Sequence, residues 1–168
     1  MLTDAIRLLL FPALMAFAAS SDLFTMTISN RLSLALSGAF VLLAPTIGMS
    51  IPEFGMHVGA AALVLAVAFG FFAMGWVGGG DAKLAAATAL WFGFNHLLVY
   101  LVYAGLLGGA LTVLLLTFRG QILPPFMATQ PWIERLHNKH TGVPYGIALA
   151  AAALLVYPDT PWMPIFGP

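Results

Sequence analysis

The sequence predicts an all-α, polytopic membrane protein with about six transmembrane helices, and two observations carry this prediction. Of the 168 residues, 61% are hydrophobic and only 7% are charged, whereas a soluble domain carries about 25% charged residues. Apolar runs long enough to cross about 30 Å of hydrocarbon alternate with short polar connectors. The length leaves room for one membrane-embedded domain, residues 1–168, and for no separate soluble domain.

Six spans follow from the order of these runs. The uncharged run from Leu84 to Phe118 would overshoot the bilayer as one straight helix, so we divide it at the turn-forming residues 93–96. Asn30 is the expected N-cap of the second span, and residues 46–56 are expected to form a loop. The predicted spans are residues 1–21, 31–45, 57–77, 82–92, 95–118 and 143–157.

Residues 119–142 form the most polar part of the chain. Pro131 suits the first turn of a helix and Gly142 suits its end, which predicts a short helix lying on the membrane surface. The small residues from Ala104 to Ala110 predict a helix-packing surface. Trp162, in the proline-rich tail, is assigned to the interfacial aromatic belt.

The distribution of basic residues orients the chain in the membrane. With the N-terminus outside, Arg7 is the one basic residue outside, so the positive-inside rule favours this orientation. It places Asp22 and Asp81 at the same, cytoplasmic, membrane face. The first span also has features of a cleavable signal peptide, but we expect it to be retained. The basic residues then cytoplasmic are Arg31, Lys83, Arg119, Arg135 and Lys139.

The charge and cysteine content exclude several function classes. The formal net charge is zero and no basic patch is present, so nucleic acid is not an expected partner. The chain has no cysteine, which excludes disulfides, cysteine-ligated metals and a cysteine nucleophile. His137 and His140 lie three apart, but no acidic ligand is clearly placed beside them. No metal and no cofactor are therefore predicted.

The run Gly78-Gly79-Gly80-Asp81 lies at the junction of two apolar segments. Three consecutive glycines indicate that backbone freedom or close approach matters there, and we expect Gly80 to admit an extended substrate strand. Two carboxylates within a few ångströms share one proton, so Asp22 and Asp81 could act as a water-activating acid–base pair. The alternative is two unrelated interfacial aspartates, with Asp81 capping a helix that starts at Ala82.

Three short motifs resemble those of the type IV prepilin leader peptidases. Asp22, followed after five residues by Ile28-Ser29-Asn30, resembles the first aspartate motif, although the family usually has proline at position 29. Residues Gly78 to Lys83 resemble the second motif, glycine-any-glycine-aspartate with a nearby lysine. The run Val143-Pro144-Tyr145-Gly146-Ile147-Ala148 resembles the last-helix motif. The size is similar to the short branch that serves Flp/Tad pili.

The resemblance implies a membrane aspartic endopeptidase of the bacterial inner membrane, which removes leaders from prepilins at the cytoplasmic face. It implies Asp22 and Asp81 as the catalytic pair, with prepilins and membrane lipid as partners. It further implies that seven other residues bind substrate or belong to the motifs. Methyltransferase activity is not expected, because the cysteine-rich insert of larger members is missing. The residues with these motif roles are Asn30, Gly78, Gly80, Lys83, Pro144, Tyr145 and Gly146.

Two other functions remain open at this stage. A presenilin-like enzyme that cuts inside transmembrane helices shares the glycine–aspartate motif. A small transporter or pilus-assembly scaffold could use the same aspartates to bind protons or a partner. The position of cleavage separates the first from a leader peptidase, and ion flux or partner binding without cleavage separates the second.

Overall fold

The structure is a computed structural model that describes residues 2–163, and within them every regular element is helical. Two short 3-10 turns, Ala44–Ile47 and Tyr157–Asp159, follow the second and the seventh helix. The all-α class is therefore confirmed. The α-helices in chain order are α1 Leu2–Thr25, α2 Asn30–Leu43, α3 Ile51–Ala73, α4 Gly79–Arg119, α5 Pro125–Ala128, α6 Pro131–His137 and α7 Tyr145–Val156.

Among residues 2–163, four helices have the length and apolar composition to cross a membrane. They are Thr3–Thr25, Asn30–Ile47, Ile51–Ala73 and Gly79–Arg119, and the shorter apolar segment Tyr145–Asp159 follows near the end of the chain. The expected count of six spans is not confirmed. A break at Gly93 separates the two spans predicted within α4, and the last helix has only 12 residues.

Gly93 breaks α4 within the predicted turn. Its φ is 56° and its ψ is −173°, a conformation that residues with a Cβ adopt with strain. Carbonyls just before a helix end need other donors, and two side chains supply them. His57 Nδ1 lies 2.8 Å from the carbonyl oxygen of Leu90, and Trp162 Nε1 donates to the carbonyl of Trp91 at 2.7 Å. The break therefore depends on neighbours from α3 and from the C-terminal segment.

The interfacial assignment of Trp162 is wrong. Its side chain is 0% exposed and packs against the rings of Trp91 and Phe40. Tyr157 is buried in the same aromatic cluster and donates its hydroxyl to the carbonyl of Arg7 at 2.7 Å. The indole finds its hydrogen-bond partner at the α4 break rather than at a membrane interface, which is why sequence position alone misplaced it.

Several predicted helix boundaries are also wrong, and capping explains two of them. Ser50 and Glu53 form a capping box, so α3 starts inside the expected loop 46–56. Ser29, not Asn30, is the N-cap of α2, because its side chain accepts from the backbone N–H of Leu32.

The other ends differ for local reasons. α1 continues to Thr25, so Asp22 lies in its last turn and not in a connector. The short helix begins at Pro131 as predicted, but it ends at His137 rather than near Gly142.

The helices pack so that α4 lies at the centre. It contacts α2, α3 and α7, and α1 contacts α7 on the other side. The first turns of α4 and α7 and the last turn of α1 therefore meet at one end of the bundle. The aromatic cluster around Trp91 stabilises the other end.

Candidate active site

Asp22 and Asp81 reach the same cavity from different helices. Asp22 projects from the last turn of α1 and is 4% exposed. Asp81 is the third residue of α4 and is half-buried. Both residues line a cavity of about 1220 Å³. Helix packing thus brings together two carboxylates that lie far apart in the sequence.

The N-terminus of α7 holds both carboxylates. The backbone N–H of Gly146 donates to Oδ2 of Asp22 at 2.7 Å, and the N–H of Ile147 also faces this carboxylate. The Gly146 N–H faces the Asp81 carboxylate as well. Free N–H groups and the helix dipole make a helix N-terminus a favourable place for negative charge. The Gly146 N–H is therefore hydrogen-bonded to Asp22 and lies near Asp81.

Asp81 folds back over the start of its own helix. α4 begins at Gly79, with Gly78 as its N-cap, and the Asp81 carboxylate faces the backbone N–H of Gly78. A Cβ on Gly78 would lie 2.8 Å from Oδ2 of Asp81, so only glycine leaves room for this arrangement. The expectation that Asp81 caps a helix starting at Ala82 is therefore wrong.

Ile28, in the connector between α1 and α2, is wedged between two glycines. A Cβ on Gly80 would lie 3.2 Å from the Cβ of Ile28, and a Cβ on Gly146 would lie 2.6 Å from its Cδ1. Gly80 does not line the cavity of the aspartates. The chain's own connector lies against the open side of Gly80, and a role for this glycine in binding a substrate strand stays a prediction.

The cavity changes character along its length. Asp22, Asp81 and Arg135 are the charged residues among those that line it. Away from them its walls are apolar side chains of α3 and of the part of α4 after the break, so the cavity extends from carboxylates into the membrane-spanning part of the bundle. The apolar residues of these walls include Leu63, Val64, Val67, Phe71, Leu97 and Leu101.

Asn30 and Lys83 lie away from this cavity. Lys83 Nζ donates to Oδ1 of Asn30 at 2.8 Å, and both residues line a second cavity of about 620 Å³ between α2, α3 and α4. The contact joins the start of α2 to the first turn of α4. It links the start of α2 to the helix that carries Asp81, whereas Asp22 lies on α1.

Pro144 and Tyr145 prepare the start of α7. Pro144 is the N-cap and is buried, and both residues line the cavity of the aspartates. The Tyr145 hydroxyl donates to the carbonyl of Ala104 in α4 at 3.1 Å. Tyr145 thus ties the start of α7 to α4.

Two neighbours of the site were not singled out from the sequence. Arg135 Nη2 donates to the carbonyl of Phe24 at 2.6 Å, close to the end of α1, and Arg135 also lines the cavity. Met26 lines it too and has a φ of 53°. A positive φ at a non-glycine residue follows from how α1 must end there, and no local pattern signalled it.

The two histidines considered as metal ligands are engaged differently. His137 Nε2 lies 2.9 Å from the carbonyl oxygen of Gln121, and His140 is exposed. Within residues 2–163, no three side chains of His, Cys, Asp or Glu are grouped to hold a metal ion.

Comparison with protein-family profiles places the chain beside a known family. The profile of the type IV leader peptidase family matches residues 9–113, which include both aspartates and the glycine run. Pro144, Tyr145 and Gly146 lie beyond the match, so their connection to the aspartates rests on the geometry above. Neither a curated protein nor a solved structure matches the chain.

Proposed function

The chain belongs to the type IV leader peptidase family, and from this premise we propose that it is an aspartic endopeptidase that cleaves the leaders of Flp-type prepilins. The observation that carries the proposal is that Asp22 and Asp81, from different helices, line one cavity beside the N-terminus of α7. Asp22 and Asp81 both face the Gly146 N–H at the head of one cavity. Two carboxylates at such a site can hold one proton between them.

The mechanism uses that single proton. Asp22 is the ionised member, because the Gly146 N–H at 2.7 Å stabilises charge on its Oδ2, and Asp81 is the protonated member. Asp22 takes a proton from water, the water oxygen attacks the scissile carbonyl carbon, and Asp81 protonates the carbonyl oxygen. When the intermediate collapses, Asp22 returns its proton to the departing nitrogen and Asp81 recovers one from the intermediate's hydroxyl group.

The cavity supports a substrate that has an apolar helix next to its cleavage site. Its apolar walls on α3 and α4 suit a hydrophobic segment, and its polar end carries the aspartates and Arg135. A hydrophobic helix entering from the membrane would present its N-terminal boundary to the carboxylates. Cleavage at the junction of leader and helix follows from this orientation.

The proposal also includes the membrane face of the site and the absence of methyltransferase activity. Arg31, Lys83 and Arg135 are expected at the same membrane face as the aspartates. This favours a cytoplasmic site in the inner membrane and an N-terminus outside. The connector between α1 and α2 spans only residues 26–29, and the chain has no cysteine. We therefore expect peptidase activity from a single domain, without methyl transfer.

The test is cleavage of a co-expressed Flp-type prepilin. Wild type should cut it, and Asp22→Asn and Asp81→Asn should each be inert at matched membrane levels. Asp159→Asn is the matched control, because Asp159 is exposed in the turn after α7, and it should cut at the wild-type rate. Wild-type cleavage by either site variant would contradict the two-aspartate mechanism.

The site of cleavage distinguishes the alternatives. The mass of the mature product should place the new N-terminus at the leader boundary. A product cut inside the hydrophobic helix would instead indicate a presenilin-like activity. Failure to cut any of a panel of prepilin leaders, together with retained binding, would favour an assembly scaffold.

A further inference from the structure

The aromatic ring of Tyr145 packs against Gly108 of α4, at a position that is open because residue 108 has no side chain. We call the surface formed by Ala104 and Gly108 the seat of the ring. A Cβ on Gly108 would lie 2.2 Å from Cε2 and Cζ of the ring and 2.3 Å from its hydroxyl oxygen. The same hydroxyl donates to the carbonyl of Ala104, one helical turn earlier. Gly108 and Ala104 are both buried, so the ring is fixed by contact on one side and by a hydrogen bond at its tip.

The contact between Tyr145 and Gly108 also affects the position of the first turn of α7. Tyr145 is the first residue of α7, and the next residue, Gly146, supplies the N–H that Asp22 accepts at 2.7 Å. Anchoring the side chain of the first helical residue sets the rotation and height of the first turn. The direction of the Gly146 N–H therefore depends on where the Tyr145 ring rests.

We propose that Gly108 is a positioning residue for the reaction, which acts through Tyr145 to aim the Gly146 N–H at the two aspartates. This inference rests on the proposed function, because it assigns Gly108 a part in aspartate-dependent cleavage. It concerns a residue outside the three sequence motifs, on the segment of α4 that follows the break.

The neighbouring glycines provide matched controls. Gly105 and Gly109 lie on the same helix, both are exposed, and a Cβ on either meets nothing within 4 Å. Replacement by alanine makes the same change in helix propensity at all three positions. Only the change at Gly108 forces the Tyr145 ring out of its seat.

The experiment measures kcat and KM of the purified full chain on an Flp-type prepilin. Gly108→Ala should lower kcat about a hundredfold, the scale of an ångström-sized misplacement at a reacting centre, with KM within about twofold of wild type. Gly105→Ala and Gly109→Ala should match wild type. Tyr145→Leu alone should lower kcat roughly tenfold, because it removes the anchor but introduces no clash.

Double variants test whether Gly108→Ala lowers cleavage through its contact with the Tyr145 ring. Leucine at position 145 lacks the ring atoms that a Cβ at position 108 would strike, so Gly108→Ala/Tyr145→Leu should recover to the level of Tyr145→Leu. Gly108→Ala/Tyr145→Phe should stay as impaired as Gly108→Ala, because phenylalanine keeps the clashing ring carbons. Recovery with leucine and not with phenylalanine is the expected result.

Three outcomes would overturn the inference. Gly108→Ala could cleave at the rate of Gly105→Ala, leucine could fail to restore cleavage, or the loss could lie in KM alone. The last would mean that the displaced ring only obstructs the cavity. If Gly108→Ala does not accumulate, Tyr145→Leu decides, since an unchanged kcat would refute the anchor.

Asp81→Asn distinguishes a failure of the positioning role of Gly108 from a failure of the proposed peptidase function. If it is inert and Gly108→Ala is fully active, only the positioning inference fails. If Asp81→Asn cuts like wild type, the proposed function fails and the inference falls with it.

Discussion

The backbone N–H of Gly146 donates to Oδ2 of Asp22 at 2.7 Å, although the residues are 124 positions apart. The bond joins the last turn of α1 to the first turn of α7. A Cβ on Gly146 would lie 2.8 Å from the same oxygen, so a side chain at this position would require the Asp22 carboxylate to shift. The match to the family ends at residue 113, yet the chain beyond it completes the site.

Gly146→Ala should lower prepilin cleavage about a hundredfold, because the added methyl group would strike Asp22 and Ile28 and displace the N–H. Gly55→Ala in α3 is the control, since Gly55 is in the lining of neither cavity and a Cβ there meets nothing within 4 Å. Initial cleavage rates at matched protein levels measure both. Equal rates for the two variants would show that the hydrogen bond to Asp22 has no part in activity.

Asn30→Ala and Lys83→Met should reduce cleavage less than about tenfold, because an exposed contact of this kind contributes roughly 0.2–1 kcal/mol. Their side chains line the second cavity and not the one that holds the aspartates. The same rate assay, run beside Asp81→Asn, measures them. A complete loss in either variant would mean that the Lys83–Asn30 contact controls the position of the aspartates.

Met26→Gly should stabilise the protein by about 1 kcal/mol relative to Met26→Ala, because only glycine adopts a φ of 53° without strain. Comparing two truncations cancels the loss of the methionine side chain from the cavity wall. Thermal unfolding in detergent measures the difference as a higher Tm. A lower Tm for Met26→Gly would show that the positive φ is not retained.

Trp162→Phe should destabilise the protein by about 1–3 kcal/mol, because the carbonyl of Trp91 loses its donor at the break of α4. Trp76→Phe is the control, since Trp76 is 72% exposed and its change should leave Tm unaltered. Thermal unfolding of both variants gives the comparison. Equal Tm values would indicate that the Trp91 carbonyl finds another partner.

A helix break and a helix start were predicted correctly where the backbone preference of a single residue, glycine or proline, determines them. The break of α4 falls at Gly93, inside the predicted turn, and the helix after residue 130 starts at Pro131. The start of α3 at Ile51 differs from the prediction, although the Ser50–Glu53 capping box is readable in the sequence.

Burial of particular side chains could not be predicted in this way. Trp162 was assigned to the interface, yet its indole nitrogen is held inside the bundle by the Trp91 carbonyl. Gly80 is likewise packed against Ile28 of the connector between α1 and α2. Each outcome depends on a partner tens of residues away in the chain, and composition and periodicity carry no record of that partner.

The sequence by itself determined the helical class, the apolar runs and the two aspartates as the residues to examine, because hydrophobicity, glycine and charge act locally. Only the tertiary structure decided that the α7 N-terminus lies against Asp22 and Asp81, that Lys83 faces a different cavity, and that Gly108 seats Tyr145. These relationships arise from helices packing against one another. Their physical basis is the exclusion of overlapping atoms and the pairing of buried polar groups across long separations in the chain.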